Sequence, residues 1–157
     1  MIKALQTFLR NLEQGGGGAS TFSAADMALA SAALMVEVML SDGDNDAEEM
    51  TKIRHSLRQE FQLSDEESEA LLEDARSRVE RSVSLFEFTD QVNRQFSLQQ
   101  KISLITQLWK VAYADQRVHK LEEATIRKIA DLIHLSHSEY IHAKHSARDL
   151  AGNSRLV

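Results

Sequence analysis

The chain has no cysteine and no proline, and four of its six glycines stand in one block, Gly15 to Gly18. Without cysteine there is no disulfide, no thiolate metal site and no cysteine nucleophile. The same absence suits a reducing compartment, so a cytoplasmic location is expected. Without proline, and with glycine so confined, few helix breakers are left in the rest of the 157 residues. Positive charge is also short: 18 Lys and Arg face 24 Asp and Glu, a net charge of −6. Nucleic-acid binding needs a basic face, and anionic lipid attracts basic segments, so neither is expected as the main partner. Long uninterrupted apolar runs are missing as well. The greasiest stretch, Ala24 to Leu40, carries Asp26 and Glu37 and ends in an acidic turn. It reads as a core helix, not a membrane span. Met1 to Leu12 has Lys3 and Arg10 among its apolar residues and lacks the continuous apolar centre of a signal peptide.

What is present is helical periodicity. Ile2, Leu5, Phe8, Leu9 and Leu12 fall at helical spacing, so residues 1–14 are expected to form a short amphipathic helix. Residues 15–22 read as a Gly/Ser linker. Residues 23–150 are long enough for one domain with its own hydrophobic core, and 151–157 read as a frayed tail. Within that domain, Met27 to Leu40 is apolar nearly all round and predicts a central buried helix, which Ser23 can cap. A helix from Ala47 to Phe61 turns Met50, Ile53, Leu57 and Phe61 inward. The next, from Ser64 to Arg81, is mostly polar, with Leu72, Ala75 and Val79 inward and an Asp74–Arg78 pair, and reads as a surface helix.

Leu85, Phe88, Val92 and Phe96 form the following stripe. Ile102, Ile105, Leu108, Trp109, Ala112 and Tyr113 give a second core helix. A helix from Lys120 to Ile133 and a last one after Ser136 complete the set. Four serine capping boxes, at Ser64, Ser84, Ser97 and Ser136, agree with this periodicity. No alternating strand pattern competes. The fold class is therefore all-α, a single bundle of about seven to eight helices.

The chain is organised around Ser41 to Glu49, where Asp42, Asp44, Asp46, Glu48 and Glu49 place five carboxylates in eight positions. A weaker copy returns at Asp115 to Glu123. Residues 34–66 and 107–139 share a plan of buried helix, Asp-led turn, amphipathic helix and leucine-serine start. Asp42 matches Asp115, Glu49 matches Glu122 and Ile53 matches Ile126. Two such helix-turn-helix units predict a pseudo-twofold arrangement.

Ala114-Asp115-Gln116-Arg117-Val118 with Glu122-Glu123, and Ser41-Asp42-Gly43 with Glu49, resemble the doubled A-D-G-x-V…E signature of the TerB-like tellurite-resistance family. The resemblance covers about residues 25 to 145. The same domain family includes the N-terminal helical region of a membrane-anchored DnaJ-like co-chaperone. This chain lacks that protein's His-Pro-Asp tripeptide, since it has no proline. The resemblance implies an all-helical bundle, a link to tellurite and other stress, and divalent-metal binding at Asp42, Glu49, Asp115 and Glu122. In the second copy Gln116 stands where glycine is usual, and Arg117 and Lys120 dilute the negative charge.

Read from the residues alone, Asp42, Asp44 and Asp46 alternate and can gather oxygens around a hard cation such as calcium, magnesium or manganese. An EF-hand would need glycine and glutamate where Ala47 and Ile53 stand, so this loop is not one. Carboxylates at a helix start also stabilise the helix itself, by roughly 0.3–1 kcal/mol each. Both readings stay open, although five carboxylates exceed what capping needs. His134 with His137, His142 with His145, and His119 beside Glu122 give no set of three or four transition-metal ligands. No nucleophile elbow or phosphate loop appears, and an enzyme is not expected. Two functions follow: a non-enzymatic domain binding divalent cations weakly and coupling this to an unidentified protein partner, or a metal-independent interaction module docking through residues 64–96.

Overall fold

The computed structural model describes residues 24–41, 47–82, 84–113 and 120–155. Seven helices fill these residues: α1 (Ala24–Leu40), α2 (Ala47–Phe61), α3 (Asp65–Arg81), α4 (Phe86–Gln95), α5 (Leu98–Ala112), α6 (Lys120–Leu132) and α7 (His137–Arg155). No strand occurs among the described residues. The helix expected over 1–14, the linker and the Ser23 cap lie outside them. α7 takes in Gly152 to Arg155 of the expected tail.

α1 is the hub. Ala28, Ala30, Ala32, Ala33, Leu34, Met35, Val36, Val38 and Met39 are all buried, on every side of the helix. α2, α3, α4, α5 and α6 each pack against it. Four alanines keep parts of its surface thin, which lets neighbouring helix axes come close. α5 is the second core helix: Leu104, Ile105, Leu108, Trp109, Val111 and Ala112 are buried between α1 and α7. Among the described helices, none is long and apolar enough to cross a membrane.

α3 lies on the surface as expected, but its buried face is broader than the sequence suggested. Val79 is only half-buried, while Ser68, Leu71, Leu72 and Ala75 are buried along α1. Charged residues dominate its composition, but its four buried side chains fall 3, 4 and 7 apart and make one clean stripe. The expected Asp74–Arg78 pair forms at 3.5 Å.

Three of the four serine boxes form. Ser64, Ser97 and Ser136 accept from the backbone N–H three residues on, and Glu67, Gln100 and Glu139 accept from the serine N–H in return. These last bonds hold the Glu139 carboxyl below its usual range. The Ser84 box does not form. α4 begins one residue late, Leu85 occupies the cap position, and the Ser84 hydroxyl accepts from Phe86 N–H at 3.3 Å. Glu87 takes the Ser82 hydroxyl instead, at 3.4 Å.

α2 and α6 end alike. Gln62 and His134 adopt left-handed backbone, with φ of 53° and 64°. The next N–H, of Leu63 or Leu135, reaches back to Arg58 or Ala130 carbonyl at 3.0 Å. This is the Schellman bond, and the leucine that makes it is buried in both cases. The Asn93 amide of α4 then donates to the Leu132 carbonyl at 2.7 Å, satisfying one more orphan at the end of α6.

Two predictions follow from these termini. Ser97→Ala lowers unfolding free energy by about 1 kcal/mol, whereas Ser84→Ala stays within about 0.5 kcal/mol; urea denaturation of both variants checks the pair. Gln62→Gly raises stability by relieving a left-handed non-glycine residue, an upward shift of the thermal midpoint being the readout.

Candidate functional site

The two Asp-led links hold corresponding places in the chain. Residues 42–46 connect the end of α1 to the start of α2, and residues 114–119 connect α5 to α6. The helices they join are mutually packed: α1 touches α2, α5 and α6, and α5 touches α2 and α6. α1 closes at Ser41, whose N–H and hydroxyl both donate to the Val38 carbonyl, at 3.2 and 2.6 Å.

Asp42, Asp44, Asp46 and Asp115 lie outside the described residues, as does His119. Glu49 stands in the first turn of α2. Glu122 stands in the first turn of α6, where partial positive charge from the unsatisfied N–H groups favours a carboxylate. Its side chain is fully buried, at 0% exposure. That places it with the core, not on an open acidic elbow. Among the described residues no three His, Asp or Glu come together as a metal cage. His55, His134, His137, His142 and His145 are exposed.

Glu37, the one late charge of α1, is half-buried. Burial pushes its carboxyl above the usual value, and Lys128 on α6 pulls it part of the way back. A raised carboxyl favours the protonated form in the folded chain, so its stabilising share is complete below its ordinary pKa and is lost as pH rises.

Sequence periodicity missed a second cluster, where α5, α6 and α7 meet. Trp109 is buried, with Tyr113 and Tyr140 at ring distances of 5.7 and 6.0 Å. Lys144 lies 4.9 Å from the Trp109 ring and 3.6 Å from Glu123. Arg127 lies 5.7 Å from the Tyr140 ring. Burial raises the Tyr140 and Tyr113 hydroxyls, opposed by Arg127 and Arg148 respectively. These contacts join residues from three helices, so no single stripe announces them. The cations sit over aromatic faces, an arrangement that ties α7 down.

A groove of about 600 Å³ opens between α2 and α3. Met50 and Leu72 supply its apolar lining, and Arg54, Arg76, Glu69 and Glu80 its charged rim. The helix stripes face the core, so the groove, which lies between neighbouring helices, could not be read from them.

Glu37→Gln removes a carboxylate that folding holds against its preference. The variant melts higher than the parent at pH 7, and the difference shrinks as pH falls toward 4.5 and below. Thermal melts across that range read it.

The family model described as tellurite resistance protein TerB matches residues 28–145. No curated protein and no solved structure matches the chain.

Proposed function

Because the chain belongs to the family of the tellurite resistance protein TerB, we propose that it is a non-enzymatic stress-response domain that binds a divalent cation weakly and couples this to a protein partner. The first link supplies the ligands, through Asp42, Asp44, Asp46 and Glu49. Such oxygen donors suit calcium, magnesium or manganese. Asp115 and Glu122 form the second and poorer site, since burial keeps the Glu122 carboxylate from solvent.

The observation that carries this reading is the position of the links. Each leads directly out of a core helix, and the first leads out of α1, against which five other helices pack. A cation drawing the carboxylates of residues 42–49 together would act on the end of the hub helix and the start of α2 at once. That is a route from ion binding to surface change. Capping explains one or two acids at such a place; it does not explain five.

The alternative is metal-independent docking through the α3–α4 region. It is favoured by Phe86, which begins α4 with 64% of its surface exposed.

Titration calorimetry with calcium and with manganese tests the first reading. Heat is expected from the parent chain, and Asp42→Asn with Asp44→Asn abolishes it. No heat with either ion, or heat unaffected by the double substitution, overturns the cation site. A partner that binds in chelator and is lost on Phe86→Ala supports the alternative.

A further inference from the structure

We propose that α3 of one molecule docks on α7 of a second molecule of this chain, a contact between unlike faces that tightens as the histidines of α7 take up protons. Charge is divided along the chain. α3 carries seven acids and three arginines, a net −4. α5, α6 and α7 together carry eight Lys and Arg against five Asp and Glu, a net +3. α3 packs on α1 and α2, whereas α7 packs chiefly on α5, so α1 and α5 stand between the two faces. They can meet only between molecules. A contact of unlike faces is repeated from one molecule to the next unless it closes into a ring.

The faces match in length and in pattern. Glu69, Glu73 and Glu80 are exposed, and from first to last they span eleven residues. His137, His145 and Arg148 are exposed, and they also span eleven. Eleven residues is close to three helical turns, about 16.5 Å, so the ends of each set share one side of the helix. Laid antiparallel, Glu69 meets Arg148, Glu73 meets His145 and Glu80 meets His137, all within one residue of register. The three glutamates are also open to a partner. Asp65 is taken by Arg58 and Asp74 by Arg78, but none of the three forms an ion pair among the described residues, although Arg54 and Arg76 line the same groove.

The histidines set the condition under which the faces attract. Arg148 is the one fixed cation of the α7 set, and Asp149 follows it. Lys144 is already held by Glu123. Histidine side chains gain their charge as pH falls from about 8 to about 5, a range in which carboxylates ordinarily keep theirs. His137 and His145, with exposed His142 on the same helix, then make the face strongly positive. The charged groups around them are Glu139 and Asp149 on α7, Lys101 of α5 near Glu139, and Arg127 and Asp131 of α6 beside His137. The second molecule is the favoured occupant because the cations that α3 needs stand on this chain at the matching spacing. The contact does not depend on cation binding at the links.

Sedimentation velocity on the full chain at low salt tests the contact. The parent is expected to associate at about pH 6 and to lose that association at about pH 8 or in about 0.5 M salt. Glu69→Gln with Glu73→Gln and Glu80→Gln abolishes it, and so does His137→Gln with His145→Gln and Arg148→Gln. All six positions are exposed, and glutamine is as good a helix former as glutamate. The first variant also comes closer to neutrality, so its general self-repulsion falls while its association disappears. Mixed in equal amounts, each variant supplies the face that the other lacks, and a species of two chains returns. A parent that stays monomeric at about pH 6 overturns the proposal. So does association retained by either variant, or a mixture as monomeric as its parts.

Discussion

The structure depends on burying one helix on all of its sides. Apart from a narrow strip with Asp26, Leu29, Glu37 and Leu40, α1 has no face to give to water, so each neighbour must bring an apolar wall to it, and α2 to α6 all do. Each fully buried Leu, Met or Val contributes roughly 1.5–3 kcal/mol relative to exposure. Leu34, Met35, Val36, Val38 and Met39 together thus operate on the scale of a whole domain's net stability, about 5–15 kcal/mol. The amphipathic helices are arranged by this demand. Glu37 is its exception, tolerated because it is only half-buried and has Lys128 on the adjoining helix.

The same demand sets how the core helices end. A core helix cannot end in the core with its last carbonyls unsatisfied. α1 must come out to a polar connection, and α5 does likewise toward residues 114–119. Connections of this kind are where a family can vary its chemistry without disturbing its packing. Glu122 shows the limit of that freedom: one acid of the second signature is held in the interior by the first turn of α6.

Much of the fold was legible because two independent signals agreed. Apolar period placed Ile53, Leu57, Ile105, Leu108, Ile126 and Ile129 inside, and the serine boxes at Ser64, Ser97 and Ser136 marked three starts. At one start the box failed although the apolar period agreed with it. Ser84-Leu85-Phe86-Glu87 has box residues, but Ser82 and Leu85 competed successfully for the groups involved. The burial of Ser68 and Leu71 was hidden by the many charges of α3. The candidate site was legible as a pattern of carboxylates and as a family signature. Its interior member was not, since a glutamate at N3 reads identically whether it faces solvent or the core. Groove and aromatic–cation cluster depend on how helices meet, which no single helix encodes.

The aromatic cluster has a further bearing on how the domain comes apart. α7 leans chiefly on α5, and its ties to α6 are Lys144 to Glu123 and Arg127 to Tyr140. Helices that share few neighbours open at lower free energy than the global transition. Opening of α7 alone would bare Tyr140's partner, the indole of the chain's single tryptophan, while α2 to α6 stay on α1. Trp109 emission would then report the state of the α5–α7 contact apart from that of the hub.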